Sequence, residues 1–308
     1  MPSPHNSAVI TRFAPSPTGL LHVGHAYAAW KAWDVAEPAG FIVRIEDLDG
    51  ARCRGEFVQA IFEDLGWLGL VWREPVLYQS ARTQAYREAL ARLAARGLIY
   101  PCFCTRATIA SARAGEAGQI ATGVEPDIAL AGQAPHPSLS LTPVYPGTCR
   151  HLPESERQRR LERGDAHAWR LDVAQAAQQP EALNLHFIEA GDAVGAQPTH
   201  IKVQPQRLGD IVLARKDLPA AYHLAVVLDD AFQHITLVTR GEDLQPATHV
   251  QRLLQALLGL AVPRYAHHRL ILDAQGRKFS KRDQSPTLRA LRAEGATPAA
   301  LRERLGLS

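Results

Sequence analysis

Apolar and polar positions in this chain follow two periods, and the places where one gives way to the other mark out strands and helices. Val9 and Ile10 begin an apolar strand that Pro15, Pro17 and Gly19 stop, and Ala26 to Ala36 has the Ala, Trp and Tyr content of a packed helix. Gly40 to Ile45 is a β-branched strand run entered through Pro38 and Ala39, with Glu46, Asp47 and Asp49 at its carboxyl end. Glu56 to Leu65 and Arg82 to Leu98 read as amphipathic helices; the second puts Tyr86, Leu90 and Leu93 on one face and stops at Gly97. Tyr100-Pro101 then breaks the pattern. His167 to Asp172 and Gly209 to Arg215 read as strands, as does Ile235 to Arg240, and Thr248 to Leu258 is a helix whose Val250, Leu253, Leu254, Leu257 and Leu258 form a core stripe. The fold class is α/β.

Composition narrows this picture only a little. With 308 residues, 46% of them hydrophobic and 21% charged, the chain can bury a full core in one large or two moderate domains. It holds no apolar run of about eighteen residues, and Met1 to Ser7 is too short and polar for a signal peptide, so a cytoplasmic protein without membrane contact is expected. The net charge of +3 is too small to announce a nucleic-acid surface. Arginine is nevertheless concentrated at 150–163 and 289–304, where it can meet phosphates.

The chemistry gathers at the breaks in the pattern. Arg12 to His25 (RFAPSPTGLLHVGH) carries the first strand into the first helix, so His22 and His25 fall near a helix N-terminus. There, unpaired backbone N–H groups and the dipole attract phosphate, and Gly24 lets a ligand approach the backbone. Far down the chain, Lys278-Phe279-Ser280-Lys281-Arg282 is a basic loop that can bring ammonium groups to the same phosphates. Glu46, beyond the end of its strand, is placed to meet a ligand ammonium beside the Arg12 loop, and Arg240 ends a second strand at the same kind of edge. Cys102 and Cys104 form a C-x-C pair that, with the distant Cys149, suggests an intracellular zinc site one ligand short, while Cys53 stands alone.

Together these motifs resemble the class I aminoacyl-tRNA synthetases, and more closely their glutamate branch. His22 to His25 and Lys278 to Arg282 match its two signature motifs, and RFAPSPTG at 12–19, RIEDLD at 44–49, AVVLDD at 225–230 and TRGEDL at 239–244 follow in its order. The resemblance implies a Rossmann-type parallel-sheet catalytic domain split by a zinc-binding insertion. Its halves are expected at 1–100 and 205–262, the insertion at 101–204 with an Ala/Gly/Pro-rich loop at about 111–138, and the basic loop with a short helical tail at 263–308. It implies ATP, accompanied by Mg2+, bound through His22, Gly24, His25, Lys278, Ser280 and Lys281, with His22, His25 and Lys281 catalytic.

The same resemblance assigns glutamate to Arg12, Phe13, Ala14, Pro15, Ser16, Glu46, Tyr222 and Arg240, with Glu46 holding the amino group. Two arginines and one acid match the two carboxylates and one ammonium of glutamate, and which arginine faces the side-chain carboxylate is left open. A C-x-C and Y-x-x-x-C pattern implies one structural Zn2+ on Cys102, Cys104, Tyr145 and Cys149, with His136 or His151 competing for the place of Tyr145. Only 27 residues follow Lys281 (308 minus 281). That, the zinc pattern and the lead-in Asp273 to Lys278 resemble the glutamyl-queuosine tRNA(Asp) synthetases. For those enzymes the implied partner is tRNA(Asp) carrying queuosine in its anticodon, with glutamate activated without tRNA, in a monomer. A truncated synthetase charging the 3′ end of tRNA(Glu) is the alternative; another HxGH nucleotidyltransferase and a catalytically inactive binding module are the competing classes.

Overall fold

The computed structural model describes residues 8–37, 39–105, 107–109, 111, 144–192, 196–272 and 286–307. β1 (Thr11–Phe13) leads through the Pro/Gly turn into α1 (Val23–Asp34), and β2 (Phe41–Ile45), α2 (Gly55–Trp67) and β3 (Arg73–Tyr78) complete a βαβαβ unit. Its three strands are parallel in the order β1-β2-β3. β2 is buried at every position, which is why it reads as a continuous apolar run and does not alternate.

Next come α3 (Thr83–Ala95), β4 (Ile99–Cys102), α4 (Glu154–Glu162), β5 (Ala168–Leu171), β6 (His186–Glu189), β7 (Thr199–Lys202) and β8 (Val212–Arg215). The chain continues through α5 (Tyr222–Phe232), β9 (Leu237–Gly241), α6 (Gln245–Leu258), β10 (Arg264–His268), α7 (Leu288–Ala293) and α8 (Pro298–Arg304). A second sheet has the order β7-β6-β10-β9, parallel except for its edge strand β7. Ile10 joins the two sheets: its carbonyl accepts from Thr236 N at 3.0 Å and Leu237 N at 3.1 Å. Its own N–H donates to Thr236 Oγ1 at 2.9 Å. The strands therefore run β3-β2-β1-β9-β10-β6-β7, and the winding reverses between β1 and β9. In such sheets ligands sit beyond the carboxyl ends at this switch point.

β4, β5 and β8 form a separate antiparallel sheet. Its Leu171 and Leu213 share one core with Tyr86 and Leu93 of α3, Leu224 of α5 and Leu253 of α6, so it packs on the helices of the catalytic half. Strand pairing thus divides the chain differently from the expected insertion at 101–204. β6 and β7 belong to the catalytic sheet, and β8 belongs with β4 and β5. The four-residue strands HFIE and THIK have half their positions exposed or nearly so and show too little alternation to announce a sheet. The loop at about 111–138, apart from Ser111, lies outside the described residues. Among the described residues no helix is long and apolar enough to cross a membrane.

Candidate active site

A cavity of about 520 Å3 opens at the switch point. Arg12, Phe13, Ala14, Pro15 and Ser16 line it from β1 and the turn beyond, His22, Gly24 and His25 from the start of α1, and Glu46 from the end of β2. Tyr222 at the first turn of α5 and Arg240 on β9 close the far side. A bond from Glu46 N to Pro15 O at 3.1 Å holds the two turns together. Lys278, Ser280 and Lys281 lie outside the described residues. The chain on either side of them reaches the site: Ile271 lines the cavity, and Leu288 N donates to Leu21 O at 2.9 Å beside a bridge between His22 and Thr287. Sequence reasoning missed Tyr27, Thr239, Asp243 and the run His268 to Ile271, which also line the cavity. Of these, Thr239 and Asp243 carried a signal, their place in TRGEDL.

The two histidines are set by the backbone they cap. His22 is the N-cap of α1, and its Nδ1 accepts from Gly24 N at 3.2 Å; His25 Nδ1 accepts from His22 N at 3.1 Å. Two helix-terminal amides expected to await phosphate are therefore satisfied by imidazoles. With Nδ1 an acceptor in both rings, each neutral ring carries its proton on Nε2, where it is a donor. The ring centroids lie 3.7 Å apart, so both donors serve one region.

The arginines are unequal. Arg12, 5% exposed, puts Nε 3.0 Å from Asp230 Oδ1 and donates through Nη1 to Thr239 O at 3.2 Å. Asp230 also takes Arg44 Nη1 at 2.7 Å, and the wholly buried Arg44 reaches Glu46 Oε1 at 3.5 Å. Burial alone would raise the Asp230 carboxyl, but the charges of Arg12 and Arg44 hold it below its ordinary value. Burial pushes Glu46 above its ordinary value, with Arg44 and Arg12 opposing. Arg240, 6% exposed, forms no ion pair among the described residues. Its Nη1 donates to Gln251 Oε1 at 2.8 Å and Tyr222 OH at 3.4 Å, its Nη2 to Thr248 Oγ1 at 2.7 Å, and its Nε to His267 Nε2 at 3.1 Å. A buried guanidinium among neutral acceptors has no carboxylate in contact with its charge. Asp229, the other acid of AVVLDD, is spent on the fold: it accepts from Gln79, Arg82 and Tyr86 at 2.7 to 2.8 Å.

At the end of β4 the thiols of Cys102, Cys104 and Cys149 lie within 4.8 Å of one another and could hold a metal ion. Tyr145 OH lies 3.3 Å from Cys102 Sγ and 3.5 Å from Cys104 Sγ, and Cys104 Sγ is 3.4 Å from Cys149 Sγ. These separations are near the edge of about 3.8 Å that a tetrahedral Zn2+–thiolate centre requires, and three soft sulfurs with one oxygen suit that ion. His151, the competing ligand, is exposed and outside this group, and His136 lies outside the described residues. The cluster is tied to the antiparallel sheet through buried Asp210, which accepts from Tyr100 OH at 2.6 Å and Arg150 Nη1 at 3.1 Å.

Comparison with known proteins decides the family. The catalytic-domain model of class I tRNA synthetases for glutamate and glutamine (E and Q) matches residues 8–308. A "Glutamyl-Q tRNA(Asp) synthetase" of Rhodobacter capsulatus is 44% identical over 97% of this chain and 100% of its own. The chain belongs to the glutamyl-Q tRNA(Asp) synthetase family. As a member of that family it is an ATP-dependent ligase of the aminoacyl-tRNA synthetase class, acting with glutamate and tRNA. "Glutamate--tRNA ligase 1" of Methylococcus capsulatus is 36% identical over 96% of this chain, but only 58% of that relative is covered. Among solved structures, a glutamate tRNA ligase from Elizabethkingia meningosepticum in complex with its amino acid matches with a TM-score of 0.66 and 27% identity, over 91% of this chain and 54% of the other. The glutamyl-Q synthetase match runs end to end along its relative; the glutamate ligases are longer.

Proposed function

We propose that this enzyme activates glutamate with ATP to glutamyl-adenylate without needing tRNA, and then transfers glutamate to queuosine in the anticodon of tRNA(Asp). The full-length match to the Rhodobacter capsulatus relative carries this reading, and the open charge of Arg240 supports glutamate as the amino acid. The glutamate side-chain carboxylate sits on Arg240 with Tyr222 beside it, its ammonium meets Glu46, and residues 13–16 supply backbone along the substrate. Arg12, already paired with Asp230, holds the turn in place and adds its remaining donor face. Glutamine in the same place leaves the Arg240 charge without an anion, a cost on the order of 2 kcal/mol or more.

In the first step an α-carboxylate oxygen of glutamate forms a bond to the α-phosphorus of ATP as the bond to the bridging oxygen breaks and pyrophosphate leaves. Charge accumulates on the departing β- and γ-phosphates. His22 and His25, each with its proton on Nε2, donate there, and Lys281, with Lys278 and Ser280, stabilises the same charge. The Mg2+ that accompanies ATP neutralises part of it. In the second step a hydroxyl of the queuosine cyclopentene ring attacks the glutamyl carbonyl, loses its proton and displaces AMP, leaving an ester. Cys102, Cys104, Tyr145 and Cys149 would hold one structural Zn2+, which would fasten the start of the inserted segment to β4.

Two experiments test this. Labelled glutamate offered to tRNA(Asp) with and without queuosine, and to tRNA(Glu), is expected to enter only queuosine-containing tRNA(Asp), with nuclease mapping placing it in the anticodon loop. Charging of the 3′ end of tRNA(Glu) would favour the glutamate ligase reading and sink the queuosine assignment. For the metal, analysis of protein purified without chelator should find about one zinc per chain, lost in Cys149→Ser; none in the parent protein refutes the assignment.

A further inference from the structure

The contacts behind Arg240 carry a step beyond its role as a carboxylate site, resting on that reading of the site. Glu189 on β6, His267 on β10 and Arg240 on β9 lie on three adjacent strands. Glu189 uses both carboxylate oxygens on one residue: Oε1 accepts the His267 backbone N–H at 2.9 Å and Oε2 lies 2.6 Å from His267 Nδ1. The guanidinium cannot be an acceptor, so the 3.1 Å contact from Arg240 Nε requires a lone pair on His267 Nε2. Thr248 Oγ1, which accepts from Arg240 Nη2 at 2.7 Å, lies 3.3 Å from the same Nε2, to which its O–H is free to donate. Every contact agrees on one arrangement: a neutral His267 with its proton on Nδ1, given to Glu189. The other tautomer would set two N–H donors against each other at Arg240.

We propose that the Glu189–His267 pair is a positioning device for substrate selection: Glu189 fixes the tautomer of His267, and His267 fixes the plane of the Arg240 guanidinium so that its one remaining N–H, on Nη2, and the Nη1 N–H on the long Tyr222 contact face the glutamate side-chain carboxylate. Neither residue touches the substrate. The pair acts on glutamate binding and on discrimination against glutamine, and it leaves the ATP site alone.

Steady-state pyrophosphate exchange with Glu189→Gln, His267→Gln, His267→Leu and Arg240→Lys tests this. His267→Leu is expected to raise KM for glutamate about tenfold and to lower the preference for glutamate over glutamine by a similar factor, with KM for ATP within about twofold of the parent. His267→Gln, whose amide oxygen can accept from Arg240 Nε, should recover most of the loss. Glu189→Gln offers one acceptor where two donors need one, and should fall between them. Equal rises in both KM values, a fall in kcat alone, or His267→Gln behaving like His267→Leu would mark a packing role and overturn the proposal. If Arg240→Lys raises the glutamate KM while His267→Leu and Glu189→Gln do not, the positioning proposal fails and the reading of Arg240 stands. No rise in Arg240→Lys removes the reading of Arg240 itself. Thermal unfolding of each variant identifies any that does not fold, and the two His267 variants decide the matter if Glu189→Gln is lost.

Discussion

At the β1 corner of the cavity Arg12 shares Asp230 with Arg44, whereas at the β9 corner Arg240 is held by Gln251, Thr248, Tyr222 and His267, none of them a carboxylate. Both arginines are about equally buried, and both end strands at the same edge. A buried cation whose charge is matched inside the protein contributes to holding the chain together; one whose charge is left unmatched costs stability and is open to an anion. The side-chain type is the same, and the supply of internal acid decides between the two outcomes.

The largest effect that would break this comparison comes from Asp230→Asn, which leaves buried Arg12 without a counter-ion and buried Arg44 with only the 3.5 Å contact to Glu46. A loss of about 3–5 kcal/mol in denaturant unfolding is expected, and an unchanged midpoint would show the Arg12 corner to be as open as the other. Arg240→Gln should divide the other way. Stability stays level or rises, since an unmatched buried charge is removed, while kcat/KM for glutamate in pyrophosphate exchange falls about a hundredfold, or about 2.7 kcal/mol of transition-state stabilisation.

The smallest effect sharpens the rule with an acid in place of a base. Asp64 on α2 is 1% exposed, its Oδ2 has no hydrogen-bond partner, and burial pushes it up to about 6. A carboxyl whose folded value is raised binds its proton more tightly in the native state, so stability falls as pH rises from the unfolded value near 4 through about 6. Asp64→Asn should therefore stabilise at pH 7 by on the order of 1 kcal/mol, with the gain vanishing towards pH 4, as followed by thermal unfolding across that range. Loss of stability at neutral pH would show that Asp64 is matched after all.

How much of this could be read from the chain depends on the distance over which each feature is written. α1, α2, α3 and α6 were legible because each carries three or more turns of apolar spacing, and β2 because it is a run of buried aliphatics. β6, β7 and β10 were not. They are four or five residues long and polar, and RYAHH in β10 buries one histidine and half-buries the other through hydrogen bonds that periodicity does not express. The turn from Arg12 to His25 was legible as a strand-to-helix break carrying two histidines, but the satisfaction of its amides by His22 and His25 follows from ring placement. Two pocket arginines and one acid could be counted in the sequence. That Arg12 is already matched could not, because Asp230 lies 218 residues away and AVVLDD does not say which base it meets. His267 had no mark at all, being one histidine among thirteen.

The join between β1 and β9 has a consequence in time as well as in space. Ile10 meets Thr236 across 226 residues, and Arg12 meets Asp230 across 218, so the seam along which the cavity lies closes one of the longest loops this chain can make. Local helices and the first βαβαβ unit have short loops to close and form early; contacts of such separation are slow to find and unrewarded until they do. During refolding, helical signal should return well before the ability to exchange pyrophosphate. A chain that has made its helices but not yet its seam possesses every signature motif and no pocket.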